Sequence, residues 1–143
     1  MFIKLTTVTL PLLIGSLIYI GWRPLNLTMF SWFEEVGILE SILYIRATLS
    51  MFNIPDWVIY CLPNGTWTFS FTAVMSFLWL QSDSQMKYFW IFTPIALGYL
   101  IELGQYYNIL VGTFCYGDLI AHTIGAFLAL FLVKNFRSYS KLN

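Results

Sequence analysis

Long stretches without a charged side chain constrain this chain more than any other feature of its sequence. One covers the 24 residues 57–80, and another covers the 18 residues between Lys4 and Arg23. A helix rises about 1.5 Å per residue, so 18 residues cross most of a hydrocarbon core that is about 30 Å thick. These stretches therefore predict helices that span a membrane.

The composition supports the same interpretation. Of the 143 residues, 59% are apolar and 10% are charged, whereas soluble proteins carry about 25% charged residues. The length suits one domain, residues 1–143. Seven basic residues balance seven acidic ones without forming a basic patch, which argues against nucleic-acid binding. The sequence therefore predicts a single all-α integral membrane domain.

Four transmembrane helices are predicted, over residues 5–22, 57–80, 88–111 and 119–133. A signal peptide is the competing interpretation of the first, but no small-x-small cleavage site follows it. Pro63, Asn64 and Gly65 are expected to kink the second span or delay its start. Residues 24–56 contain no uncharged window long enough to span, and we expect an interfacial helical segment within residues 29–51.

The distribution of Lys and Arg orients these spans. Lys4 flanks the start of the first span, and Lys134 and Arg137 follow the end of the last. In contrast, residues 24–56 are acidic on balance, and the loop around Gly112 has no basic residue. We therefore expect both termini in the cytoplasm, with the interfacial segment and the Gly112 loop on the outer side.

Polar side chains within the spans converge on one predicted depth near the outer face. Counting the helical rise from the cytoplasmic ends places Glu102 about 21 Å up and Asp118 about 24 Å up. Gln105 lies three residues after Glu102 and His122 four residues after Asp118, so each pair shares a helical face. We expect Gln105 to donate to Asp118, and His122 to Glu102 or Asp118. The predicted ligand-binding residues are Asn64, Trp67, Glu102, Gln105, Asp118 and His122.

Each of these polar residues also has a purely structural interpretation. Glu102 and Gln105 fit the interfacial end of a helix, and Asp118 fits the N-cap of the last span. His122 is the only histidine of the chain. A lone histidine in a span more often forms an interhelical hydrogen bond than binds a metal.

The remaining side chains suited to chemistry give weaker signals. Cys61 and Cys115 fit no metal-ligand spacing, and we interpret them as small buried residues, with a disulfide between them as the alternative. No metal or cofactor is predicted. The polar layer is expected to lack arginine, so a hydroxylated or amine-bearing ligand is favoured over a phosphate.

The carboxyl-terminal half carries a more specific pattern: Glu102-Leu-Gly-Gln105, Gly112-Thr-Phe114, Asp118-Leu-Ile and Gly125. Over residues 101–131 this pattern resembles the VanZ-like family of small bacterial membrane proteins. His122 stands where the family usually has Asn, and residues 112–114 lack the Arg that is common in that loop. The resemblance implies four membrane helices in the bacterial cytoplasmic (inner) membrane. It also implies a role in the cell envelope, and the founding member is associated with antibiotic resistance of the teicoplanin type.

Three function hypotheses remain open at this point. A binding or accessory protein would hold a lipid headgroup, a drug or a partner protein in the outward polar layer. A membrane enzyme acting on a lipid-linked substrate would use Glu102 as acid or base, with Asp118 orienting His122. An oligomeric channel or effector is the third. The first is favoured over an enzyme because no nucleophile motif is apparent. The expected partners are membrane lipid and either a membrane protein or further copies of this chain.

Overall fold

The computed structural model describes residues 2–140, which form seven α-helices and no strand. The all-α prediction is confirmed. In chain order the helices are α1 (Phe2–Trp22), α2 (Thr28–Glu35), α3 (Leu39–Leu49), α4 (Asp56–Tyr60), α5 (Leu62–Trp79), α6 (Met86–Tyr106) and α7 (Tyr116–Ser140).

Helix α5 is the centre of the bundle and packs against α7, α1 and α6, most extensively against α7. Glycines let the backbones of α5 and α7 come close together. A Cβ on Gly65 would lie 3.0 Å from the carbonyl oxygen of Ala121, and a Cβ on Gly125 would overlap the Gly65 carbonyl. The face of α7 that bears Ala121 and Gly125 therefore packs against α5.

Burial in the bundle is inverted relative to a water-soluble protein, whose interior is apolar. The face of α5 turned inward carries hydroxyl groups, because Thr68, Ser70, Thr72 and Ser76 are all buried. Large apolar side chains cover the outside instead. On α7 an exposed stripe at helical spacing consists of Ile120, Ile124, Phe127 and Phe131.

Two helices in the described part of the chain are long and apolar enough to cross a membrane, over Lys4–Trp22 and Tyr116–Phe136. Both lie mostly on the surface of the bundle rather than in its interior. Helices α5 and α6 are less apolar than these two, although they correspond to the second and third predicted spans.

The helix ends differ from the predicted spans for identifiable local reasons. The second predicted span is interrupted at Cys61, and Pro63 lies in the first turn of α5, where proline is tolerated. The third ends at Tyr106 instead of residue 111, because Asn108 adopts φ 57°. The Asn108 N–H bonds to the Gln105 carbonyl at 3.0 Å, and the next N–H bonds to Gly104 at 2.8 Å, which is a Schellman ending.

The predicted interfacial segment is helical, but it forms two helices rather than one. Gly37, with φ 78°, separates α2 from α3. No residue of α3 is buried. Its main polar connection to the bundle is Arg46, which donates to the carbonyl of Ile20 in α1 and lies 5.2 Å from the ring centre of Phe30.

Candidate functional site

A cavity of about 1080 Å³ lies between α1, α4, α5, α6, α7 and the α6–α7 loop. Glu102, Gln105 and Asp118 line it near the loop, whereas Phe71, Met75 and Leu97 line it farther from the loop along α5 and α6. All six residues predicted from the sequence contribute to this wall: Asn64, Trp67, Glu102, Gln105, Asp118 and His122. The structure therefore brings together the side chains that the sequence placed at one depth.

Glu102 is a buried member of this wall, with 3% of its surface exposed. Its Oε2 accepts a hydrogen bond of 3.0 Å from the backbone N–H of Cys115. The carboxylate thus joins α6 to the loop that enters α7. Glu102 lies near the end of α6, as the alternative interpretation has it, but its side chain faces the interior of the bundle. Gln105, one turn later, lies against Gly112, where a Cβ would touch its side-chain amide.

His122 reaches across the bundle to α5. Its Nδ1 lies 2.6 Å from the hydroxyl oxygen of Thr68, and the donor depends on the tautomer. Gly98 of α6 leaves room for the imidazole, because a Cβ there would lie 2.7 Å from the ring. The expected interhelical hydrogen bond is confirmed, but its partner is Thr68 rather than Glu102 or Asp118. The role of Thr68 is not predicted from the sequence, because Thr68 and His122 are 54 positions apart and meet only through the packing of α5 on α7.

Asp118 lies in the first turn of α7, where the helix dipole favours a negative charge. It is not the N-cap, because the helix begins two residues earlier, at Tyr116. Only 8% of Asp118 is exposed, and its Oδ1 is buried without a hydrogen-bond partner among the described residues. The expected donation from Gln105 or His122 to this oxygen is therefore absent there. An unpaired buried oxygen is costly, so this oxygen of Asp118 is ready to accept from a ligand.

The two cysteines are free, as the sequence predicted, and both are half-buried. They lie beside Asp118, and the two sulfur atoms and one carboxylate oxygen are all within 4.8 Å of one another. This cluster is only weakly indicated by the sequence. Only the Cys115-x-x-Asp118 spacing hinted at a shared turn, whereas Cys61 joins through the break between α4 and α5.

Arg23 adds a positive charge to a cavity wall that also carries the carboxylates of Glu102 and Asp118. Its guanidinium lies between two rings, 5.0 Å from the centre of Tyr19 and 4.9 Å from that of Tyr60. Its Nε is buried without a hydrogen-bond partner among the described residues. The expectation that the polar layer lacks arginine is wrong. In the sequence Arg23 only bounds the first predicted span, but α4 packs beside α1 and Arg23 becomes part of the cavity wall.

No family model, curated protein or solved structure matches the chain. The VanZ-like resemblance of residues 101–131 therefore stays a prediction.

Proposed function

We propose that this protein is a multi-pass protein of the bacterial cytoplasmic membrane whose outward-facing cavity binds an amphiphile. Four helices span the membrane: α1, α5, α6 and α7. Helices α2 and α3 lie along the outer surface, and both termini are cytoplasmic.

The inverted burial supports a membrane environment. Side chains such as Ile124 and Phe127 are exposed on α7, whereas Thr72 and Ser76 are buried on α5. In water this arrangement would leave the apolar surface exposed and enclose the polar groups. In lipid it matches the way polar side chains turn towards other helices.

The two-part wall of the cavity supports an amphiphilic ligand, and this is the observation that carries the proposal. Glu102 and Asp118 favour a headgroup with hydroxyl or ammonium donors, while Arg23 suits an anionic group such as a phosphate. Phe71 and Met75 offer apolar contacts to a chain. A lipid of the outer leaflet combines all three features, so it fits better than a partner protein's span.

The membrane topology is tested by cysteine accessibility in a variant that lacks Cys61 and Cys115. A cysteine at Ser84 should react with an impermeant reagent only from the cytoplasm, and one at Glu35 only from outside. Labelling of both from the same side contradicts the four-span arrangement.

Ligand binding is tested by native mass spectrometry of the protein released from native membranes. We expect a lipid adduct on the unmodified chain and its loss in Arg23→Gln and in Glu102→Gln. The matched control is Glu34→Gln, an exposed carboxylate outside the cavity. Equal adducts on all four proteins would show that lipid binds elsewhere. Because of the VanZ-like resemblance, teicoplanin susceptibility of cells expressing the same variants is a physiological readout.

A second candidate function is suggested by the Thr68–His122 contact of 2.6 Å at the cavity wall. A hydroxyl beside an imidazole is the arrangement of a nucleophile and its general base. A membrane enzyme acting on a lipid-linked substrate would use this pair. Turnover of labelled isoprenoid-linked sugars that disappears in Thr68→Val would favour the enzyme, and no turnover by the unmodified protein would exclude it.

A further inference from the structure

The cluster of Cys61, Cys115 and Asp118 has the donor atoms of a metal site. One ligand atom from each residue lies within 4.8 Å of the other two. In a tetrahedral site with metal–sulfur bonds of about 2.3 Å, two sulfur ligands lie roughly 3.8 Å apart. A metal ion therefore requires only a small contraction of the cluster.

The backbone holds these donors in position. The N–H of Asp118 bonds to the carbonyl of Cys115 at 3.1 Å, which keeps both side chains on one turn. Glu102 accepts from the N–H of Cys115 and fixes the start of that turn. Gly117 leaves space for the thiols, because a Cβ there would lie 2.7 Å from the sulfur of Cys61 and 3.4 Å from that of Cys115.

The unpaired oxygen of Asp118 is an independent observation that points to a ligand. Its Oδ1 is buried and has no hydrogen-bond partner in the described part of the chain. A disulfide between Cys61 and Cys115 would leave that oxygen unsatisfied. A cation bound by the same three residues gives the oxygen a partner and brings the charge that a buried carboxylate requires.

We propose that Cys61, Cys115 and Asp118 bind Zn²⁺ at the wall of the cavity. Two thiolates and one carboxylate match the ligand preferences of Zn²⁺, whereas Mg²⁺ and Ca²⁺ take oxygen ligands. The two thiols release their protons to water as the metal binds, so affinity rises with pH. All three ligands border the cavity, from which a water molecule would complete the tetrahedral coordination. This site does not depend on the proposed lipid ligand.

Cobalt substitution tests the proposal directly. The chain has only two cysteines, so thiolate-to-cobalt charge-transfer absorption reports on Cys61 and Cys115 alone. The full chain is purified in nanodiscs with a tag free of His and Cys, reduced with a phosphine and titrated with Co²⁺. We expect one equivalent to give charge-transfer and tetrahedral ligand-field bands, and one equivalent of Zn²⁺ to abolish them. X-ray absorption of the zinc form should show two sulfur ligands at about 2.3 Å.

Substitutions distinguish the loss of a metal ligand from a failure to fold. Cys61→Ser and Cys115→Ser should each abolish the two-sulfur spectrum, and Asp118→Asn should weaken Co²⁺ binding at least about tenfold. Asp83→Asn, an exposed carboxylate in the α5–α6 loop, should bind as the unmodified chain does. Circular dichroism identifies any variant that fails to fold, and Cys→Ala replacements then take its place.

Two results would overturn the zinc site. One is a reduced, folded chain that shows no charge-transfer band at millimolar Co²⁺ while both thiols react with a thiol reagent. The other is a chain isolated from native membranes with a Cys61–Cys115 disulfide that binds no metal after reduction. Loss of lipid adducts with zinc binding retained would affect the proposed function alone.

Discussion

The α5–α7 contact and the α2–α3 segment reverse the usual relation between hydrophobicity and burial. The first is made by small or hydroxylated residues such as Gly65, Thr72 and Gly125, yet it forms the interior. The second carries Trp32 and Tyr44, which are 60% and 77% exposed. Small side chains and close backbone approach therefore form the α5–α7 contact, whereas large aromatic side chains of the α2–α3 segment stay on the surface. This is the behaviour of helices that associate in lipid.

The largest effect is expected at the α5–α7 contact. In Gly125→Leu the new side chain meets the Gly65 carbonyl, and we expect a loss of about 3 kcal/mol in the free energy of unfolding, because overpacking forces the backbones apart. Denaturation in mixed detergent micelles measures the loss. Ile124→Leu, on the adjacent exposed face, is the matched control and should change little. Equal stability of both variants would place the Gly125 face towards lipid.

The next effect is expected where the α2–α3 segment is joined to the bundle. Partial burial lowers the pKa of Arg46, but its guanidinium stays charged at neutral pH. In Arg46→Met the hydrogen bond to Ile20 is lost, and we expect a destabilisation of about 1.5 kcal/mol. Hydrogen exchange should also accelerate throughout α3. Unchanged exchange there would mean that apolar contacts hold the segment in place.

A smaller effect is expected from the polar contact inside the bundle. Thr68→Val keeps the shape of the side chain and removes the hydroxyl beside His122. Interhelical hydrogen bonds in membranes contribute about 0.6 kcal/mol on average and at most about 1.7, so we expect a loss in this range. Nitrogen NMR of the imidazole should report a changed environment at Nδ1. An unaltered spectrum would contradict the contact.

The smallest effect is expected on the exposed face of α3. Tyr44→Ser removes a large aromatic ring, but the ring is 77% exposed, so stability in detergent should stay within about 0.5 kcal/mol. A loss comparable to that of Gly125→Leu would show that the segment packs as a core element and would remove the contrast between the two regions.

The parts of the site that the sequence predicted are those set by spacing along one helix. Glu102 with Gln105, and Asp118 with His122, follow from helical periodicity and the α6–α7 hairpin. The contributions of Arg23, Cys61 and Thr68 depend on how α1 and α4 pack with α5, and on how α5 packs against α7. No local pattern encodes those contacts, because the residues are far apart in the chain. Helix ends were missed where a single backbone conformation, such as that of Asn108, stops a helix within an uncharged stretch.

The hydroxyl-lined face of α5 also has a consequence for biosynthesis. A chain is made from its amino end, so α5 emerges long before α7, its main partner. During that interval Thr72 and Ser76, which have no side-chain hydrogen-bond partner among the described residues even in the finished bundle, lack the helix that covers them. Within the proposed membrane, α5 therefore has α1 beside it but lacks its main partner until α7 has been made. A chain truncated before α7 would therefore leave this polar face of α5 without the helix that packs most extensively against it.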